Sequence, residues 1–211
     1  PNSTDTSNTY GTPVKPRKTF PTNVPAGSVV EVHGGPYSPG SSWFNVQGNG
    51  TAEKPVFYRA VGNVKIFDRS IRVMGSYLIF DGFEVYGDKA AIGVYGAGNH
   101  HIGIRNNYTH DKQPTTGGSS IAVGSGKDVV VYKNHVYNNG SPDCPGHPRC
   151  GLENDVHGVH SGLGSARVWI VDNHIHENGG DSVQINGGIN EPYPEYIYIG
   201  RNVMYHEGEN A

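Results

Sequence analysis

An internal repeat constrains this chain of 211 residues more than any other feature. Five segments of alternating apolar residues recur, at 77–85, 101–110, 128–137, 167–176 and 196–205. After the alternation, four of them carry an asparagine and the first carries Gly82, at steps of 25, 27, 39 and 29 residues. The asparagines are Asn107, Asn134, Asn173 and Asn202. Self-similarity at this period is typical of solenoids, in which each repeat packs only on its neighbours.

Each period also contains a further alternating segment, as at 91–95, 120–123, 158–161 and 182–185. One coil therefore holds three short strands, and strands of successive coils stack in parallel about 4.8 Å apart. We predict an all-β solenoid of about six to seven coils over residues 25–211, preceded by an N-terminal extended segment or cap over residues 1–24. The chain stops at the start of a strand, so we expect an incomplete C-terminal coil that meets missing chain or self-associates.

Composition agrees with this prediction and excludes other classes. Gly is abundant, at 31 residues, whereas Leu occurs only at positions 78, 152 and 163, which excludes a helix bundle. The net charge is −3 without a basic run, so no nucleic-acid partner is expected. No stretch approaches the roughly 18 apolar residues of a membrane helix, so no membrane partner is expected either.

We assign the asparagine column a structural role. Asn tolerates the left-handed backbone conformation of a sharp bend, and stacked Asn side chains can hydrogen-bond along the solenoid axis.

The opening segments carry a family resemblance. Residues 25–37 read PAGSVVEVHGGPY and residues 50–60 read GTAEKPVFYRA, ahead of the asparagine-punctuated coils. This pattern resembles the right-handed parallel β-helix of the pectin-lyase-like superfamily. The resemblance implies a bacterial protein that is exported, either secreted or periplasmic, and that acts on polysaccharides. The superfamily holds lyases, hydrolases, epimerases and non-catalytic binders. Three of its catalytic patterns are not recognisable here: a DPHE-like epimerase motif, the aspartate pair of polygalacturonase-like hydrolases, and the Lys and Arg pattern of the alginate and chondroitin lyases that use calcium.

The longest segment between asparagine turns contains an insertion at about residues 141–155. Long loops on a rigid scaffold often carry function, although an ordinary surface loop is an equal alternative. The insertion holds both cysteines, Cys144 and Cys150, in CPGHPRC. A local disulfide suits an exported protein. Free thiols are the alternative, and a metal site is the weakest interpretation because the spacing matches no zinc signature.

Aligning the third strand of each coil brings polar residues into columns. His157, Asp181 and Glu209 fall in one column at the strand entrance, after Ser119. A second column holds His160 over Gln184, preceded by Ala122 and Gly93. Neighbours in a column lie on adjacent coils, so we expect one strip of His and acidic side chains.

This strip suits a polysaccharide lyase that cleaves a uronate polymer by β-elimination. His157 or His160 would be the base, because a nearby carboxylate tunes the pKa of histidine toward neutrality. Arg149, Lys112 or a Ca²⁺ ion held by Asp181 and Glu209 would neutralise the uronate carboxylate. Further substrate contacts are predicted at Gln184, Asn154, Glu153, Asp155 and Glu209.

Two alternatives remain open at this point. A glycoside hydrolase would use two carboxylates among Glu153, Asp155, Asp181 and Glu209 as acid and base. A non-catalytic carbohydrate-binding or structural solenoid would carry the same residues as polar side chains on a solvated sheet face.

The other histidines show no metal-ligand spacing. His174 and His176 alternate on one strand and share a face. His110, Tyr137, His176 and Tyr205 form a column that we interpret mainly as aromatic packing.

Overall fold

A computed structural model describes residues 3–38, 43–113, 118–140, 155–188 and 190–207. Regular structure in these ranges consists of sixteen β-strands in one sheet, and the named strands pair in parallel. The sheet winds into three faces, which confirms the predicted parallel β-helix. In these same ranges there is no helix with the length and apolarity needed to cross a membrane.

The three faces are defined by which strands lie side by side, and two long strands turn corners between them. Face 1 contains β2 (Trp43–Asn49), the start of β4 (Ser70–Tyr86), β5 (Ala91–Tyr95), β8 (Ser119–Gly124), β11 (His157–Gly162) and β14 (Val183–Ile185). Face 2 contains β1 (Val29–His33), the start of β3 (Val56–Phe67), the middle of β4, β6 (His100–Arg105), β9 (Lys127–Tyr132), β12 (Ala166–Val171) and β15 (Glu195–Gly200). Face 3 contains the ends of β3 and β4, then β7 (Tyr108–His110), β10 (His135–Tyr137), β13 (His174–His176) and β16 (Val203–Tyr205).

The core is a set of β-branched stacks inside the coils. On face 1, Ile92, Ile121 and Val159 are fully buried and lie in register on successive strands. Each such side chain contributes about 1.5–3 kcal/mol when it leaves water. These stacks account for the shortage of Leu, because β-branched residues pack well on a pleated surface.

The N-terminal segment packs against the first coils. Phe20 is buried, with its ring centroid 4.2 Å from that of Phe44 and 6.0 Å from that of Tyr58. The Tyr58 hydroxyl donates a hydrogen bond of 2.8 Å to the carbonyl oxygen of Pro21. Aromatic side chains thus cover the core at this end.

The asparagine column forms a hydrogen-bonded ladder along the helix axis. The side-chain amide of Asn107 donates to Asn134 at 3.1 Å, Asn134 donates to Asn173 at 3.0 Å, and Asn173 donates to Asn202 at 3.0 Å. Asn107, Asn134 and Asn173 are buried, whereas Asn202 is half-buried. The ladder side chains also accept hydrogen bonds from the backbone, and the Asn134 N–H donates to Asn173 Oδ1 at 2.9 Å.

The backbone explanation given for this column is wrong in one respect. The left-handed residue of each bend is the one before the ladder asparagine, in turn Asn106, Lys133, Asp172 and Arg201. The bend turns the following side chain inward, so Asn is needed there for its buried hydrogen bonds.

The placement of Gly82 is also corrected. Gly82 has a φ of 85° and aligns with Asn106 at the left-handed position. Phe83 takes the ladder position, and its backbone N–H donates to Asn107 Oδ1 at 3.0 Å.

A second ladder, which the repeat alignment missed, lies at the corner leading into face 1. Asn139 donates to Asn178 at 2.8 Å, and Asn178 donates to Glu207 Oε1 at 3.1 Å. The backbone N–H of Lys112 donates to Asn139 Oδ1 at 3.1 Å, which places Lys112 at the end of this ladder. The corner ladder fixes the chain just before the strands that carry the candidate site.

Candidate functional site

The polar strip predicted at the entrance of face 1 assembles around His157. His157 lies in register with Ser119 on the preceding coil. On the following coil, the backbone N–H of Asp181 donates to His157 Nδ1 at 3.0 Å. The sheet itself therefore positions the imidazole, with one contact to each neighbouring coil.

Two carboxylates flank the buried His157 ring. Nε2 lies 3.3 Å from Asp155 Oδ1, and Nδ1 lies 3.6 Å from Asp181 Oδ2. The His157 side chain is 6% exposed, whereas the carboxylates are 72% and 66% exposed. Burial lowers the pKa of His157 despite the attraction of Asp155 and Asp181, because water screens the exposed carboxylates.

The neutral tautomer of His157 follows from these contacts. Nδ1 accepts the Asp181 N–H, so the proton sits on Nε2, facing Asp155. Both nitrogens are engaged, and neither offers a free lone pair to a substrate.

His160 lies on the outer surface of the same strand and has a different environment. It is in register with Gln184 on one side and Ala122 on the other. Asn186 donates its amide hydrogen to Gln184 Oε1 at 3.0 Å, which turns its oxygen toward His160 Nε2, 2.8 Å away. Nε2 therefore carries the proton, and the lone pair of His160 is on Nδ1.

The outward column that contains His160 continues to a cation that sequence analysis missed. Ala122 is in register with Gly93, and Gly93 with Arg72. Ala122 and Gly93 thus separate His160 from Arg72 over three coil steps, about 14 Å, and the Tyr95 ring lies over Gly93. The Arg72 guanidinium lies 4.5 Å from the centroid of the Trp43 ring. An alignment of β4 with β5 would have placed Arg72 in this column. The repeat alignment began at residue 77 and therefore left Arg72 out.

Lys112 is buried at the corner before β8, and burial lowers its pKa to about 8. A buried amine with such a pKa can transfer protons near neutrality. The remaining predicted site residues, Arg149, Glu153, Asn154 and Glu209, lie outside the described residues, as do Cys144 and Cys150. Their contacts with the strip stay predictions.

Calcium was expected on Asp181 and Glu209. Ca²⁺ takes six to eight oxygen ligands. Of this pair, Asp181 is the one that lies in the described residues. Within those residues, no group of three acidic or histidine ligands includes Asp181. The described donor set therefore does not fit a calcium ion, and the metal stays a prediction that depends on Glu209.

The described residues do contain a cluster of metal-ligating atoms elsewhere, on face 3. His135, His174 and His176 each present one ring nitrogen, and these nitrogens lie within 4.8 Å of one another. Burial and the neighbouring histidines lower the pKa of His135 to about 4. The sequence showed no metal spacing here because the ligands come from different coils.

Comparison with known proteins finds likeness in three-dimensional structure. No family model and no curated protein sequence matches the chain. Pectate lyase Pel9A is similar with a TM-score of 0.59 and 17% identity, over 76% of this chain and 42% of that one. An alginate lyase from Paenibacillus is similar with a TM-score of 0.52 and 14% identity, over 85% of this chain and 70% of that one.

A rhamnogalacturonan lyase is similar with a TM-score of 0.52 and 17% identity, over 96% of this chain and 62% of that one. The chain thus spans less than half the length of the pectate lyase. At these identities the likeness shows the fold. The chain has a parallel β-helix fold, which it shares with these three lyases.

Proposed function

We propose that this chain is an exported polysaccharide lyase that cleaves a uronate polymer by β-elimination along face 1. The observation that carries the proposal is the pair of histidines on β11. His157 is held between two carboxylates, and His160 presents a basic nitrogen on the outer surface. A polysaccharide is too large and too polar to diffuse across a membrane, so the protein would act outside the cell or in the periplasm.

In the proposed reaction, His160 Nδ1 removes the proton next to the uronate carboxylate. The electron pair forms a carbon–carbon double bond, the glycosidic carbon–oxygen bond breaks, and the leaving oxygen takes a proton from water while protonated His160 returns its proton to water. His160 is favoured over His157 as base because both nitrogens of His157 are engaged. His157 then acts as a positioning residue that fixes Asp155 and Asp181 at the site.

The proposal gives the cationic groups separate roles. Arg72 would bind a uronate carboxylate some three coils from His160, with the Tyr95 ring lying over the intervening Gly93. Lys112 is the alternative base, supported by its lowered pKa. Arg149 and calcium stay predicted partners of the reacting carboxylate, and the proposed reaction depends on neither.

The test is incubation with pectate, alginate, rhamnogalacturonan and chondroitin, with and without calcium, following the ultraviolet absorbance of the unsaturated product. His160→Gln should lower kcat by at least about 100-fold. His33→Gln, whose side chain is 61% exposed on face 2, is the matched control and should retain full activity. If Lys112→Met abolishes activity while His160→Gln retains it, the base is Lys112.

Absence of the unsaturated product with every polymer, in either metal condition, contradicts the lyase proposal. New reducing ends without that absorbance would indicate a hydrolase. EDTA should abolish activity only if the calcium prediction is correct.

A non-catalytic carbohydrate-binding solenoid is the second candidate, and one observation favours it. Trp169 and Tyr198 are exposed neighbours on β12 and β15 of face 2, where aromatic rings could stack on sugars. Retention of a polymer without product, lost in Trp169→Ala, would support this function.

A further inference from the structure

Three histidines converge on the outer surface of face 3, away from the candidate lyase site. His135 on β10 and His174 on β13 are in register, each directly after a ladder asparagine. His176 lies two residues beyond His174, so strand alternation places it on the same side. Two adjacent coils thus contribute three imidazoles to one patch.

The distances within this cluster are close to those of a metal site. His135 Nε2 lies 2.8 Å from His176 Nε2. The His135 and His174 rings are parallel, with centroids 4.6 Å apart, and the His174 and His176 centroids are 4.7 Å apart. Tetrahedral zinc, bonded to nitrogen at about 2.0–2.1 Å, needs nitrogens about 3.4 Å apart. To form three bonds to one ion, the His174 ring must turn out of its parallel stack on His135 and give up its 3.1 Å contact with the Tyr205 hydroxyl.

The surroundings favour a ligand role for His176. Its Nδ1 lies 2.9 Å from Glu177 Oε2, so Nδ1 carries the proton and the Nε2 lone pair points at His135. A carboxylate that orients a histidine in this way is a regular feature of metal sites.

A shallow cavity of about 230 Å³ opens beside His135 and His174. Tyr108, Lys133 and Asp172 also line it. The cavity leaves room for a water or another small ligand in a fourth coordination position.

Aromatic packing explains only part of this arrangement. His176 does stack in a column, with ring centroids 5.5 Å from Tyr137 and 4.8 Å from Tyr205. Stacking does not require the nitrogens of His135 and His176 to face each other at 2.8 Å. Two such nitrogens must share either a proton or a cation.

We propose that His135, His174 and His176 bind one divalent transition-metal ion of the zinc type, which links two adjacent coils of face 3. Imidazole nitrogen is a preferred ligand of zinc, copper and nickel. The site is separate from the face 1 strip, so its occupancy is independent of the proposed lyase reaction.

The test is calorimetric titration of EDTA-treated and dialysed protein with Zn²⁺, together with the visible spectrum of the Co²⁺-loaded protein. We expect one Zn²⁺ per chain, and the intense visible bands of tetrahedral Co²⁺. His174→Gln and His135→Gln should each weaken zinc binding by at least about 100-fold. Mutation of a residue that only orients a metal ligand already lowers metal affinity by about 10–100-fold. His33→Gln is the matched control and should bind as the parent protein does.

Zinc bound equally well by His174→Gln, or lost in His101→Gln, would place the ion elsewhere and overturn the proposal. So would the absence of binding. A variant could lose zinc because it misfolds, so a second measurement uses the parent protein alone. Bound Zn²⁺ should protect the three histidines from modification by diethyl pyrocarbonate, as mapped by peptide mass spectrometry. Unchanged modification of these histidines in the presence of Zn²⁺ also overturns it.

Discussion

Asn134 makes hydrogen bonds in both directions along the helix axis. It accepts from the backbone N–H and the side-chain amide of Asn107, at 3.0 and 3.1 Å, and it donates to Asn173 Oδ1 and to the carbonyl oxygen of Ile104, both at 3.0 Å. Every one of these groups is buried. The residue therefore acts as an internal connector between coils.

Asn134→Ala should destabilise the fold by about 3 kcal/mol, because several buried donors and acceptors lose their partner. The measurement is the free energy of unfolding in urea. Asn45→Ala, at an exposed position of β2, is the control and should change it little. A loss no larger than that of the control would mean that the ladder does not stabilise the fold.

Aromatic rings stack along one column of face 3. Ring centroids of successive members lie 5.5 Å apart from Tyr86 to His110, 4.8 Å from His110 to Tyr137, 5.5 Å from Tyr137 to His176 and 4.8 Å from His176 to Tyr205. The interpretation of the last four members as packing is therefore supported, and Tyr86 extends the column. The strands of face 3 are short, so side-chain stacking is an important part of their contact.

Tyr137→Ala, at the centre of this column, should lower stability by about 2 kcal/mol, from lost ring contacts and buried area. The melting temperature in the presence of EDTA measures this effect without bound metal. Tyr198→Ala, with a residue that is 50% exposed on face 2, is the matched control. Equal melting temperatures for the two variants would contradict a stabilising role for the column.

The stability of the whole molecule depends on pH through the buried imidazole of His157. Burial lowers the pKa of His157 in the folded state below its unfolded value near 6.5. The unfolded chain then binds more protons as the pH falls, so folding stability must fall with it. The carboxylates of Asp155 and Asp181 reduce this effect without reversing it.

We therefore expect the free energy of unfolding, measured in urea with EDTA present, to decrease from pH 7 to pH 5. His157→Gln should make the profile flatter over that interval, and the exposed-site variant His33→Gln should keep the parent slope. A His157→Gln profile as steep as that of the parent would mean that this imidazole does not titrate with the fold.

The sequence by itself determined the coil architecture and much of the register. Alternation of period two separates inside from outside, and a repeated coil aligns columns, so His160 over Gln184 was predictable from residue spacing. The same alignment puts His135 and His174 at matching positions directly after Asn134 and Asn173, and the two residues pair in the structure.

Only the tertiary structure decided how these side chains behave chemically. The pKa of His157 and its tautomer depend on burial and on a backbone N–H from the next coil. The approach of His135 to His176 depends on side-chain rotation across two coils. Local sequence carries no record of such distances, because solenoid stacking creates them between residues about one coil apart.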